Sequence, residues 1–212
     1  MTRHTRRVTI FAGGLVLAAA VLVAIISLTG GGHSPASSGL GVDLAFAREM
    51  VPHHRDAVDM AQIAETKTQR PAVRFLARDI ITAQTREIDQ LQAIDQRLGA
   101  EGVEPIELET SQEHAMTMDD QTMPSMQTGM SQEDLDALRG ANPFDRAFID
   151  AMIPHHQMAI LMARDVLARG ADTEVRRIAS AVIAAQAKEI EQMNGWRRDW
   201  YGSESPSGGV PV

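Results

Sequence analysis

The chain has no cysteine. Disulfides are therefore excluded, as are thiolate metal sites and lipid attachment through an N-terminal cysteine, although an oxidising compartment would permit disulfides. Aromatic residues make up only 4% of the 212 residues. No segment alternates apolar and polar residues as a half-buried strand requires, so sheet architectures are not expected. Basic charge is also scarce, with 20 Lys+Arg against 28 Asp+Glu. Three of the twenty, Arg3, Arg6 and Arg7, stand at the extreme N-terminus, which leaves the remainder at net −11. That balance argues against nucleic acid as a partner and suits a domain that attracts cations. Neither a Gly-x-Ser-x-Gly elbow nor a phosphate-cradling glycine loop is present, so nucleophilic catalysis and nucleotide binding have no motif behind them.

Charge is missing altogether from Val8 to Leu28, a run of 21 residues. A bilayer core takes about 20 apolar residues as a helix, whereas the core of a cleaved signal peptide is roughly 7–15. With three arginines before the run, residues 1–29 read as a single-pass anchor with a cytoplasmic N-terminus. The rest of the chain would then lie outside the cytoplasm. The alternative is cleavage near residue 30 and secretion. Residues 30–42, GGGHSPASSGLGV, have the composition of a flexible tether.

What the chain does contain is a repeat. Shifted by 102 residues it lies on itself without a gap, and "FAREMVPHHRDAVDMA" at 46–61 meets "FIDAMIPHHQMAILMA" at 148–163. Ten of nineteen positions agree between 43–61 and 145–163. Ala83-Gln84 and Glu87-Ile88 match Ala185-Gln186 and Glu189-Ile190. Agreement sustained over two elements marks a duplication, with repeats at 43–98 and 145–200.

Each repeat has helical periodicity. Phe46, Met50, His53, Ala57, Met60 and Ala64 recur at three- and four-residue steps on one face. A second helix opens near Pro71 and presents Val73, Leu76, Ile80, Gln84, Ile88 and Leu91. In the second copy, Asn142 and Pro143 open a helix, Gly170 ends it, and Thr173 caps the next. The expected fold is therefore all-α, a four-helix bundle of two duplicated hairpins over 43–200, preceded by the transmembrane helix. Between the copies, 99–142 forms a linker rich in methionine (Met116, Met118, Met123, Met126 and Met130) with His114 nearby. Ser131 and Asp134 form a capping box for a short helix at 132–139. Residues 201–212 read as a disordered tail.

The repeated phrase carries the chemistry. Proline inside a helix removes one backbone hydrogen bond and costs roughly 3 kcal/mol, yet Pro52 and Pro154 stand just before paired histidines. Adjacent helical residues point about 100° apart. On the stripe just described, His53 and His155 face the interior while His54 and His156 lie at its edge. Met50 and Met152 sit one turn below. Gln84 with Glu87, and Gln186 with Glu189, interrupt the apolar face of the second helices and need polar partners if buried. Packed symmetrically, the hairpins bring together four His, two Met, two Gln and two Glu as candidate metal ligands. Alternatively, the Gln and Glu residues orient the imidazoles from behind. Met60 and Met162 read as core packing. Thioether sulfur with imidazole nitrogen selects copper or silver over magnesium or calcium. Ligation needs neutral imidazole, so binding is expected to weaken below about pH 6.5.

These phrases, together with the "QxxEI" step in both second helices and the Met-rich stretch before "SQEDLDALRG", resemble the family catalogued as domain of unknown function 305. The resemblance covers roughly 43–200. It implies an exported or membrane-attached bacterial protein with a ferritin-like bundle, and it carries metal ligation onto His53, His54, His155, His156, Met50 and Met152. Iron is one metal the family suggests, and copper or silver another. Three functions follow as expectations: copper binding or sequestration without catalysis, a ferritin-like iron or di-iron oxidase centre, and a bundle whose histidines only pack. A di-iron centre calls for four carboxylates and two Glu-x-x-His steps; only Glu87 and Glu189 repeat suitably. No reaction is indicated. Dimerisation through the bundle stays open.

Overall fold

The computed structural model describes residues 35–109 and 130–211. The 8–28 anchor, His114, Met116, Met118, Met123 and Met126 lie outside them. The described residues form five helices and no strand: α1 (Pro35–Lys67), α2 (Pro71–Ala100), α3 (Gln132–Gly140), α4 (Phe144–Arg169) and α5 (Thr173–Tyr201). None of these helices is long and apolar enough to cross a membrane.

Local chemistry explains most of the boundaries. Pro35 and Pro71 stand at the first positions of α1 and α2, where a missing N–H costs nothing. The stretch expected as a tether is thus helical from Pro35 onward. The capping box of α3 is present, with Ser131 Oγ accepting from Asp134 N at 3.1 Å and Asp134 Oδ2 accepting from Ser131 N at 3.0 Å. At α5 the cap is Asp172 rather than Thr173, its Oδ1 accepting from Glu174 N and Val175 N. Pro143, not Asn142, is the residue before α4. α1 continues through Pro52 and α4 through Pro154, so tertiary packing outweighs the local cost of each proline.

α1 pairs with α2 and α4 with α5 as hairpins, which meet chiefly through α1 and α4. Two apolar clusters fill the bundle. One joins Phe46 and Met50 of α1 to Ile94, Ala163, Val166 and Ile178. The other joins Met60 and Ala64 of α1 to Leu76, Phe148, Ile149, Met152 and Ile190. The early part of α1 thus packs with the late part of α4, and the reverse, so the two helices run antiparallel. Their repeated phrases meet at the seam between the clusters.

Contacts outside the core obey the same pseudo-twofold relation. Asp43, at the head of the first repeat, accepts from Ala171 N and Asp172 N in the loop of the second hairpin at 2.8 and 2.6 Å. Its repeat mate Asp145 accepts from Thr68 Oγ1 at 2.5 Å and pairs with Arg70 at 3.3 Å, in the loop of the first. A Cβ at Gly170 would overlap Asp43 Oδ1, which is why the Thr68 position of copy one becomes glycine in copy two. Burial raises the Asp43 carboxyl above its ordinary range, against the two backbone donors.

One pair is duplicated with its charges exchanged. Arg48 meets Asp95 at 2.7 Å, and at the same repeat positions Asp150 meets Arg197 at 3.0 Å. The first pair is exposed on both sides, whereas the Arg197 side chain is only 2% exposed. Removing one partner of a buried pair costs about 3–5 kcal/mol, against about 0–1 for a surface pair. Asp150→Ala should therefore lower unfolding free energy by about 3 kcal/mol and Arg48→Ala by less than about 1, as read by urea denaturation. Equal losses would contradict this assignment.

Residues 202–211, whose composition suggested disorder, fold back on the second hairpin. Gly202 makes the reversal in the left-handed region at φ 84°, where L side chains are strained. Asn194 then accepts from Ser205 N at 2.9 Å and donates to the Gly208 carbonyl at 2.7 Å.

Candidate metal centre

At the seam between the two apolar clusters, α1 supplies His53 and His54 and α4 supplies His155 and His156. The inward and edge roles are the reverse of those expected from the stripe. His54 and His156 are fully buried, while His53 and His155 are partly exposed. The stripe was ambiguous: Met50, His54, Ala57 and Ala61 also step by four, three and four. What decides is the neighbouring helix of the same hairpin. Glu87 on α2 accepts from His54 Nε2 at 2.8 Å, and Glu189 on α5 accepts from His156 Nε2 at 2.6 Å. A carboxylate can only accept, so the proton sits on Nε2 and the lone pair of the neutral ring on Nδ1. Both Nδ1 atoms are buried without a partner.

The other two imidazoles meet across the hairpin interface. The rings of His53 and His155 lie 3.7 Å apart between centroids with planes tilted by 36°. The symmetry is close: His53 to His54 and His155 to His156 both measure 6.3 Å with a 57° tilt. His53 Nδ1 and both nitrogens of His155 are also buried without a partner. Burial holds His53 well below its ordinary value, at about 3, and neighbouring His54 and His156 push the same way. His155 is lowered by burial first and then by His53, His156 and His54. The pair is therefore uncharged at neutral pH.

Gln84 and Gln186 are buried, each with an unpartnered Oε1. Met50 and Met152 are fully buried, Met50 in one apolar cluster and Met152 in the other. Met60 and Met162 pack in the core as expected. Among the described residues no three histidine or carboxylate side chains already surround one point as a complete ligand set. Five imidazole nitrogens are buried without a partner, and each of the four neutral rings can offer one lone pair. Each unsatisfied buried polar atom costs about 1–3 kcal/mol. A fold that concentrates five of them in one layer fits a soft cation taken up there. Arg197, Asn194 and Gln157, which tie the C-terminal segment beside the second motif, were not foreseen. Only the odd presence of Asn and Arg on the inner side of α5 could have marked two of them.

Fold and site together define a class: a bundle of two duplicated helical hairpins with a histidine layer, backed by carboxylates, at their junction. The chain belongs to the DUF305 family, described as a domain of unknown function, whose model matches residues 43–197 and again 151–209. It is similar to CopM in its Cu(II)-bound form, at 37% identity and a TM-score of 0.61 over 75% of this chain and 97% of that one. CopM in Cu(I)-bound and silver-bound forms is 36% identical at a TM-score of 0.59, over 76% of this chain and 98% of that one. A DUF305 protein from Streptomyces coelicolor, at 22% identity over 80% of this chain and 98% of its own, shares the fold with a TM-score of 0.60. A 50-residue stretch is 38% identical to the uncharacterized protein L153 of Acanthamoeba polyphaga mimivirus. That stretch is 24% of this chain and spans only a third of the viral protein, 33% of its length.

Proposed function

We propose that this is a membrane-anchored protein that binds copper, or silver in its place, outside the cytoplasm and sequesters it without catalysis. The observation that carries the reading is the concentration of unpartnered, buried imidazole nitrogens where the two repeats meet. The likeness to CopM, which has been seen with Cu(II), Cu(I) and silver, supports the choice of metal. In this reading His53, His155 and the Nδ1 atoms of His54 and His156 supply nitrogen. Met50 and Met152 supply sulfur, a pairing suited to Cu(I). Glu87 and Glu189 hold the His54 and His156 rings from behind. A di-iron centre is disfavoured because its carboxylates would have to leave those histidines.

One preparation tests both halves of the proposal. Cells expressing the untagged full chain are fractionated, and the purified protein is analysed for bound metal. Recovery from the membrane with copper in the protein is expected. Recovery in the soluble exported fraction, cut near residue 30, would overturn the anchor; iron alone, or no metal after copper exposure, would overturn the copper reading.

A further inference from the structure

The two histidine motifs share their geometry but not their surroundings. Beside the second, the chain after α5 returns as a strap. Arg197 donates to the Ser203 carbonyl at 3.2 Å, and Asn194 uses both ends of its amide on Ser205 and Gly208. Gln157, the residue after His156, donates to the carbonyls of Ser207 and Gly209 at 2.8 and 2.6 Å. Arg164, two turns further along α4, donates to the Pro211 carbonyl at 2.7 Å. Val210 packs on the apolar cluster that contains Met152 and Ile153. Beside the first motif a different segment approaches: Met130, just before α3, donates its N–H to Asp56 at 2.9 Å. The repeat mates of Gln157, Arg164 and Arg197 are Arg55, Gln62 and Asp95. Pro52 is exposed where Pro154 is buried.

We propose that residues 203–211 form a strap that closes the outer flank of the second histidine motif and slows metal exchange there. The strap contributes backbone carbonyls to α4 and α5 side chains, not ligands to the histidine layer. It therefore acts on the rate of exchange rather than on affinity. The inference rests on the metal-binding reading above.

The test uses the full chain loaded with Cu(I) under reducing conditions and measures transfer to an excess of a Cu(I) chelator. Gln157→Ala with Arg164→Ala releases the distal strap while keeping the Asn194 and Arg197 clamps. Losing these hydrogen bonds should speed both release and uptake about tenfold, with equilibrium affinity unchanged. Limited proteolysis within 203–211 reports that the strap has come away, and circular dichroism reports that the bundle has not. Asn194→Ala is the second variant, should the first leave the strap in place or disturb the helices. Detached strap with wild-type release rates overturns the proposal. So does an affinity loss matching the rate change, which would make the strap part of the binding site. Wild-type protein that takes up no Cu(I) instead defeats the metal reading itself.

Discussion

Below about pH 6.5 the metal-free protein should lose stability steadily toward about pH 3. The cause is the pair of neutral imidazoles at the centre of the bundle. In the unfolded chain His53 takes a proton near 6.5; in the folded protein burial delays this to about 3. The unfolded state therefore binds more protons throughout that interval, and acid favours it. The stabilising effect of the neutral ring is complete above 6.5 and is lost as pH falls. Each pH unit costs about 1.4 kcal/mol for one such group, so His53 alone contributes roughly 2 kcal/mol of loss by about pH 5. His155, shifted in the same direction by the same burial, adds to it. Urea denaturation of the apoprotein across this range should show the slope, and His53→Ala with His155→Ala should flatten it. An equal slope in both proteins would mean that other groups carry the acid sensitivity.

The same shift revises an expectation drawn from composition. Ordinary histidines would lose copper below about 6.5. Rings that stay neutral to much lower pH have no proton to displace, so the part of Cu(I) affinity carried by His53 and His155 should hold nearly level down to about pH 5, for as long as the bundle remains folded.

Much of this architecture was legible in the sequence because duplication and period are both one-dimensional. Pro71, Gly170 and the Ser131–Asp134 box punctuate helices where they were expected to. The gap-free 102-residue shift identified two equivalent hairpins before any helix was placed against another. His54 meets Glu87 and His156 meets Glu189 because period 3.6 puts each pair on facing sides of its hairpin. The rotation of each helix was less legible. A stripe through Met50 accepts either His53 or His54, and only the Glu87 carboxylate on the facing helix selects His54. The strap was illegible for a related reason. Its Ser- and Gly-rich composition describes disorder unless the partners, Asn194, Arg197 and Gln157, are known to face it. The Gly- and Ser-rich composition of 30–42 likewise hides the helical start at Pro35.

The largest effect concerns the layer itself. His53 and His155 meet at 3.7 Å across the repeat interface, so under the proposed copper reading replacing both removes a nitrogen donor from each half at once. Losing two imidazole donors should weaken Cu(I) binding about a hundredfold or more, since second-sphere changes alone cost about 10–100-fold. His54→Ala with His156→Ala should weaken it as well, contrary to their expected edge position, because both rings are buried with a free Nδ1. Ala favours helix, so helicity should survive in both double variants.

The most direct measurement is a competitive Cu(I) titration, under reducing conditions, of the wild-type protein and the His53→Ala/His155→Ala variant, each checked for helical content. The account predicts tight wild-type binding and a loss of about a hundredfold or more in a variant that remains helical. Equal affinity in two equally helical proteins would contradict it, and the histidine layer would then be packing alone.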